Sequence, residues 1–329
     1  MTFSHHSLLL LCTSSLVLLL FTFPSRQQFI SVSQNFTAAF DAAIQELVSS
    51  PTWIQYYSEN MFFAVPKCST KVEWPEKDPF VGRFKIVTCF ESATSSPWLE
   101  TKTKLADSVV AIINNHYKTN YTNELKRYST IELGFFQTLK NAVATGDCDI
   151  VTTQTQPIVE RAQFVHFQCG FGLASKGWVR TGKDPQIVIQ NVSDLNNNGI
   201  LVGALTGTAY ETFVKSSLTK ATLVPLFSVT SQFDAVLNQN VHAIIGDAIQ
   251  LLSWKKQVGN CNCEVKAFDT SYEYSTFTNG NITYEKNAAS FKPNTSVVSL
   301  ATTNSFGNQY VMPVTLLMMV IMLIQRYKE

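Results

Sequence analysis

Strand-like and helix-like segments alternate along the middle of the chain, and this alternation restricts the fold more than any other sequence feature. The first set runs strand, helix, helix, strand over residues 84–88, 105–117, 135–144 and 149–153. The second set runs strand, helix, strand, helix, strand over residues 199–204, 209–218, 221–227, 232–237 and 243–245. Such alternation predicts βαβ units on mostly parallel sheets. Two sets in tandem predict two α/β lobes.

The composition narrows the class of protein. Only 15% of the 329 residues are charged and 45% are hydrophobic, which excludes a disordered chain. The net charge of +1 argues against a nucleic-acid partner, because such proteins need a basic face to neutralise phosphates.

Both ends of the chain are apolar. Residues 8–23 (LLLLCTSSLVLLLFTF) carry no charge, and they predict a secretory signal peptide over residues 1–25. An uncleaved signal anchor is the alternative, because no Lys or Arg precedes the run. Residues 311–324 form a second apolar run, shorter than the roughly 20 residues of a typical span. A short span, a signal for a glycosylphosphatidylinositol (GPI) anchor and a buried helix are all open, and we expect membrane attachment through residues 311–329.

The cysteines and glycosylation sequons agree with export to the extracellular face of the plasma membrane or to the medium. Loss of Cys12 with the signal peptide leaves an even number of cysteines. We therefore expect disulfides, whose pairing the sequence does not determine, rather than a metal site. The six candidates are Cys68, Cys89, Cys148, Cys169, Cys261 and Cys263. Asn-x-Ser/Thr sequons predict glycosylation at Asn35, Asn120, Asn191, Asn281 and Asn294.

Polar residues at predicted strand ends indicate a ligand site rather than a known catalytic motif. They are Arg161, the turn 206–208 that opens a helix, and Asp247 directly after an apolar strand. Open α/β sheets bind ligands beyond the carboxyl ends of their strands. A guanidinium, a helix N-terminus and a carboxylate there could bind both charges of an α-amino acid. The structural alternatives are an ion pair of Arg161 with Glu160 and a helix cap at Asp247.

Two segments carry a family resemblance. Residues 146–161 (GDCDIVTTQTQPIVER), with Phe164 to Phe167 and Phe171, are similar to the Gly-x-x-Asp strand and Glu-Arg pair of family 3 solute-binding proteins. The second segment comprises Asp194-Leu195, Val202-Gly203, Thr206 to Thr208, Glu211 and Phe213. The resemblance implies the two-lobed periplasmic-binding-protein type II fold, which ionotropic glutamate receptor ligand-binding domains share.

The resemblance also implies roles for single residues. Arg161 would bind the ligand carboxylate and Asp247 its ammonium. Hydrogen bonds would come from Thr155 and Gln156 of lobe 1 and from Thr208 and Ala209 of lobe 2. Phe90 or Trp98 would provide an aromatic lid. The sequence departs from the family pattern at Gln156, where Ser or Thr is usual, and at residues 158–159, where Thr-Pro is usual.

The order of the elements suggests a circular permutation. Apolar residues at helical spacing over residues 34–63 resemble the helix pair that normally follows lobe 2. We expect this pair to dock on lobe 1. An unrelated helical extension is the alternative. The hinge is predicted at residues 170–172 and, on the return, at residues 260–265.

These observations predict a membrane-tethered domain that closes around a small zwitterion or carboxylate without a cofactor and is not an enzyme. A cyclohexadienyl-dehydratase-like enzyme and a degenerate ectodomain that binds an unknown protein partner are the alternatives. The predicted boundaries are 1–25 signal peptide, 26–80 helical segment, 81–171 lobe 1, 172–262 lobe 2, 263–297 return to lobe 1, 298–310 stalk and 311–329 membrane segment.

Overall fold

A computed structural model describes residues 29–69, 71–259, 261 and 263–284. The predicted signal peptide, stalk and membrane segment, and the sequon at Asn294, lie outside these residues. No helix in the described ranges combines the length and the apolar character that crossing a bilayer requires.

The helices and strands follow the predicted alternation. In chain order the strands are β1 Val32–Ser33, β2 Lys85–Glu91, β3 Thr122–Tyr128, β4 Ile150–Thr155, β5 Val165–Arg180, β6 Leu201–Leu205, β7 Thr222–Leu226, β8 Ala243–Asp247, β9 Glu264–Asn279 and β10 Ile282–Thr283. The helices are α1 Gln34–Ser49, α2 Pro51–Met61, α3 Trp98–Tyr117, α4 Phe135–Thr145, α5 Val159–Ala162, α6 Ala209–Ser217, α7 Val229–Leu237 and α8 Ala248–Val258. The sequence pattern missed β3, because this edge strand is polar and has no buried residue.

Eight strands form one continuous sheet in the order β3-β2-β4-β9-β5-β8-β6-β7. Strands β2, β3 and β4 are parallel to one another, and so are β6, β7 and β8. The long strands β5 and β9 pair with each other in antiparallel orientation and join the two parallel sets. Each set with its helices is one lobe: β2 to β4 belong to lobe 1 and β6 to β8 to lobe 2.

The N-terminal helix pair lies on lobe 1. Phe36 and Phe40 of α1 pack against Phe80 in the largest hydrophobic cluster, which also holds residues of α3 and β5. Ser33 caps α1 by accepting a hydrogen bond from the Phe36 N–H. The pair therefore docks where we expected it. That it replaces a C-terminal helix pair stays a prediction.

Helix α2 and the segment after it hold the strand that leaves lobe 1. The Trp53 indole N–H donates to the Phe171 carbonyl over 2.9 Å, and the Tyr57 hydroxyl donates to the Leu173 carbonyl over 2.8 Å. The Leu173 N–H donates to the Ala64 carbonyl over 2.9 Å. A Cβ atom on Gly172 would lie 1.9 Å from the Tyr57 ring, so this approach requires glycine.

The strand pairing is irregular at the predicted outgoing hinge, but the predicted return at 260–265 does not lie opposite it. The pairing of β5 with β9 is irregular around Gly170 and Gly172, whose partners are Ser275 and Tyr274. The return crossing must lie opposite the outgoing one in an antiparallel pair. It therefore lies near residues 272–275 and not at 260–265. Residues 264–268 pair with 176–180 in lobe 2, so the predicted boundary at 263 comes too early.

All six predicted cysteines form disulfides, which confirms that part of the sequence analysis. The pairs are Cys68–Cys169, Cys89–Cys148 and Cys261–Cys263. The first attaches the N-terminal segment to β5, and the second joins β2 to the residue that precedes β4 by two positions.

Among the sequons, Asn120, Asn191 and Asn281 are exposed and Asn35 is partly buried in α1. Their glycosylation stays a prediction.

The disulfides should differ in their effect on stability according to the length of chain that they close. Cys68 and Cys169 are 101 residues apart, whereas Cys261 and Cys263 are two apart. We expect Cys68→Ser/Cys169→Ser to lower the free energy of unfolding by about 2–5 kcal/mol. Cys261→Ser/Cys263→Ser, the matched control, should lower it much less in urea unfolding. Equal losses would contradict this expectation.

An ion pair between α1 and β5 should make stability depend on pH. His166 Nε2 lies 2.9 and 2.8 Å from the two carboxylate oxygens of Asp41. Burial lowers the pKa of His166, but the Asp41 carboxylate outweighs burial, and the pKa is raised. The stabilisation is therefore complete below about pH 6.5 and is lost as the pH rises through the raised pKa.

We expect the melting temperature to fall between about pH 6.5 and 8 more steeply in the unmodified protein than in Asp41→Asn. Thermal unfolding at several pH values measures this difference, and parallel curves would show that the pair is not linked to folding.

Candidate ligand-binding site

A cavity lies between the two lobes, beside the strand ends. Its wall includes the last residues of three strands, Glu91 of β2, Leu205 of β6 and Asp247 of β8. Gln156 and Arg161 follow β4, and Thr208, Ala209 and Tyr210 lie at the start of α6. Gln154, Tyr272 and Tyr274 also line the cavity. The structure therefore brings Arg161, Gln156, Thr208, Ala209 and Asp247 together, as the sequence predicted.

Arg161 is a buried cation without a carboxylate partner among the described residues. Its side chain lies on α5 and over the Phe136 ring, with the guanidinium carbon 4.9 Å from the ring centroid. Nη1 donates to the Gln156 carbonyl over 3.2 Å and Nη2 to the Gly207 carbonyl over 3.1 Å. Burial lowers the pKa of Arg161 to about 10, so the group is still charged at neutral pH. The predicted alternative, an ion pair with Glu160, is not formed.

Asp247 is a buried anion, and in the described ranges it also has no ion-pair partner. Its Oδ1 accepts hydrogen bonds from the Gln250 N–H over 2.7 Å and from the Trp98 indole N–H over 3.0 Å. Its Oδ2 accepts from the Tyr274 hydroxyl over 2.8 Å. Burial raises the pKa of Asp247, although these hydrogen bonds and the positive charge of Lys102 oppose the rise. Asp247 is thus both the N-cap of α8 and part of the cavity wall.

Three tyrosines that the sequence analysis missed connect the lobes at the hinge. The Tyr210 hydroxyl of lobe 2 lies 3.0 Å from that of Tyr272 and 2.6 Å from that of Tyr274, and these two are 3.1 Å apart. Burial raises the pKa of all three, so they are neutral. Alternate positions on one strand face the same side, so the Tyr-x-Tyr spacing in β9 was the available signal.

The helix that starts at the cavity, α6, has the expected N-terminus. Thr208 is its N-cap, with the hydroxyl donating to the Leu205 carbonyl over 2.6 Å. Glu211 accepts a hydrogen bond from the Gly207 N–H over 2.7 Å. The first N–H groups of a helix have no acceptor within it, so those of Ala209 and Tyr210 are suited to an anionic ligand.

Two predicted residues do not reach the cavity. Thr155 is buried in β4 opposite Ser275 and is not part of the wall, whereas Gln154 and Gln156 are. Phe90 is also buried away from the cavity, with Lys102 Nζ 5.6 Å from its ring centroid, while Glu91 faces the cavity. Both predictions failed because successive side chains of a strand point to opposite faces.

Trp98 is close to the site but is not a lid. It is fully buried behind the wall, where it donates to Asp247 and meets the Tyr274 ring edge to face at 5.4 Å. Its contacts fix the position of the Asp247 carboxylate.

The lobes touch in this structure. The Phe135 N–H of lobe 1 donates to the Thr206 carbonyl of lobe 2 over 3.2 Å, next to the bond from Arg161 to Gly207. The space in which the centre of a water molecule fits is about 40 Å³, and one water requires roughly 10–15 Å³ by this measure. A ligand of amino-acid size therefore needs the lobes to separate before it enters. No cluster of described His, Cys, Asp or Glu side chains could hold a metal ion.

The Asp247 carboxylate should lower the stability of the ligand-free protein. Asparagine can accept the same bonds from Trp98 and Gln250 and place its amide N–H against the Tyr274 oxygen, without a buried charge. We expect Asp247→Asn to leave the free energy of unfolding unchanged or to raise it by up to about 2 kcal/mol. Asp247→Ala, the control that leaves donors unpaired, should lower it by about 1–3 kcal/mol. A clear loss in the Asn variant in urea unfolding would show that the charge is already compensated.

Comparison with known proteins supports the fold and not a closer relationship. No protein-family model matches the chain, and a search of curated proteins finds no match. An amino acid ABC transporter substrate-binding protein from Streptococcus pneumoniae, bound to L-arginine, is 18% identical with a TM-score of 0.50, covering 61% of this chain and 83% of that one. A putative ABC transporter binding component from Wolinella succinogenes, complexed with lysine, is 15% identical with a TM-score of 0.51, covering 60% and 83%. These similarities confirm the fold that the sequence predicted: the chain has the two-lobed, type II periplasmic-binding fold.

Proposed function

We propose that the protein binds a small α-amino acid, or a similar zwitterion, between its lobes. Two buried groups of opposite charge, Arg161 and Asp247, line the same cavity, and neither has an ion-pair partner among the described residues. Buried unpaired charges are costly, so a wall that keeps both is suited to a ligand with both complementary charges.

The ligand carboxylate fits the Arg161 side of the cavity. Two nitrogen atoms of the guanidinium each donate a hydrogen bond to a carbonyl, and the remaining N–H groups can pair with a carboxylate. The N-terminus of α6 at Ala209 and Tyr210 adds N–H groups and the positive end of the helix dipole. The ammonium group fits Asp247, whose Oδ2 accepts only one hydrogen bond from the described residues. The solved structures of this fold that contain L-arginine and lysine support an amino-acid ligand.

Binding would stabilise the closed arrangement of the lobes. Arg161 belongs to lobe 1 and Asp247 to lobe 2, so one ligand would contact both. The irregular pairing between Ala174 and Lys176, just beyond the contacts that hold β5 to α2, supplies a place where the β5 and β9 ribbon can bend.

Thermal-shift and calorimetric titration of the purified protein with single amino acids and small carboxylates tests the proposal. A ligand at about 100 times its Kd should stabilise the fold by about 2.7 kcal/mol. Arg161→Met and Asp247→Asn should each weaken binding about 100-fold or more, because each leaves one ligand charge unpaired in the closed cleft. Glu160→Gln, next to Arg161 but exposed, is the matched control and should bind normally.

The alternative functions predict different results in these titrations. No stabilisation by any compound would contradict the proposal and favour an ectodomain that binds a protein partner. Turnover of a cyclohexadienyl substrate without saturable stabilisation would favour the enzyme.

We also propose that the protein is exported and tethered to the extracellular face of the plasma membrane, with a receptor-like or transport-associated role. The apolar runs 8–23 and 311–324, the disulfides and the sequons support this. Cell fractionation with and without a phosphatidylinositol-specific phospholipase tests it: release into the medium would indicate a GPI anchor, retention a span. Recovery in the cytosol would contradict export.

A further inference from the structure

A second buried cation lies directly behind the cavity wall. Lys102 of α3 is completely buried, and its Nζ contacts Glu91 Oε1 and lies 3.0 Å from the Thr94 hydroxyl oxygen. Glu91 is 5% exposed and faces the cavity, and its Oε2 accepts a hydrogen bond from the Thr153 hydroxyl over 2.7 Å. Lys102 itself is not part of the wall.

The buried charges around the cavity cancel only because of Lys102. When all four groups are ionised, Glu91 and Asp247 are negative and Arg161 and Lys102 are positive, so their sum is zero. Burial lowers the pKa of Lys102, and the negative charges of Glu91 and Asp247 oppose that change. The nearby acids outside this group are balanced or solvated: Glu211 pairs with Lys215 over 2.9 Å, and Glu160 is exposed. Without the Lys102 charge, the buried set would be negative by one unit.

We propose that Lys102 is an internal counter-cation that restricts the cleft to ligands without net charge, and that Glu91 would otherwise accept a basic group of the ligand. This inference rests on the proposed amino-acid site, which it narrows to zwitterions with uncharged side chains. A ligand with an additional ammonium or guanidinium group would bring a second positive charge into the closed cleft. Glu91 would already be paired with Lys102 and Asp247 with the ligand α-ammonium, and little water would remain to solvate the extra charge.

A purely structural role for Lys102 predicts a different pattern. Buried ion pairs are often replaceable by apolar groups at no loss of stability. If Lys102 only supported α3, its removal would weaken binding of every ligand by a similar factor. A counter-cation role predicts a reversal of ligand preference instead.

Calorimetry on the full secreted protein and two variants distinguishes these roles. L-alanine, L-serine and L-glutamine are the neutral probes, and L-lysine and L-arginine the basic ones. The unmodified protein should prefer a neutral probe at least tenfold. Lys102→Met, which removes the charge and keeps most of the volume, should shift the ratio of affinities at least tenfold toward a basic probe. Glu91→Gln/Lys102→Met restores zero net charge and should restore the neutral preference.

Equal affinities for neutral and basic probes in the unmodified protein would overturn the inference. An unchanged ratio in Lys102→Met would do the same.

A separate measurement does not need the amino-acid site. Lys102→Ala leaves Glu91 without a cation, and n-butylammonium should raise its melting temperature by several degrees. n-Butanol should not, and Glu91→Gln/Lys102→Ala should not respond to n-butylammonium. Rescue in a protein that binds no amino acid would reject the proposed function and retain Lys102 as the counter-cation. Absence of rescue would overturn the counter-cation role, whatever amino acids bind.

Discussion

The antiparallel pairing of β5 with β9 is the constraint on which the rest of the structure depends. Both strands are 16 residues long, and both belong to the two lobes at once. The lobes are therefore continuous through a single hydrogen-bonded ribbon, and the cavity lies at the point where its pairing is irregular. The tyrosines of β9 project into the same cavity, so the ribbon is both the connection between the lobes and part of the binding surface.

The cleft contains several buried charged side chains. Burying them is energetically unfavourable, and packing of the two lobes does not require them. Arg161 and Asp247 are buried without an ion partner in the described chain, and Glu91 and Lys102 are buried as a pair. Hydrogen bonds from Trp98, Gln250 and Tyr274 hold the Asp247 carboxylate in place, and no cation of the described residues forms an ion pair with it. Buried charges without partners are costly in a low-dielectric site. The arrangement therefore favours a ligand whose own charges pair with them.

The sequence predicted the class of fold and most of the polar set, because both depend on local patterns. Alternating apolar segments define βαβ units, and Arg161, Thr208 and Asp247 stand at strand or helix ends that topology brings together. What it could not predict depends on register. The predictions for Phe90 and Thr155 were wrong by one position. Successive side chains of a strand point to opposite faces, and the sequence does not show which face borders the cavity. The predicted position of the return hinge was wrong because that position depends on which residue of β9 pairs with Gly172, and local sequence does not show this. The Lys102–Glu91 pair joins a helix and a strand, and nothing in their local sequence indicates it.

A set of contacts from α2 and the segment after it holds the first half of β5 to lobe 1. Hydrogen bonds from the Trp53 and Tyr57 side chains, the bond that the Leu173 N–H donates to the Ala64 carbonyl, and the Cys68–Cys169 disulfide fix β5 up to Leu173 as part of lobe 1. Bending is then confined to the stretch beyond it, where the pairing between Ala174 and Lys176 is irregular. Strand β1 pairs with β10 on that same lobe, so the first and last described residues leave it side by side. Lobe 1 therefore carries both ends of the described chain, and the backbone enters and leaves lobe 2 through β5 and β9.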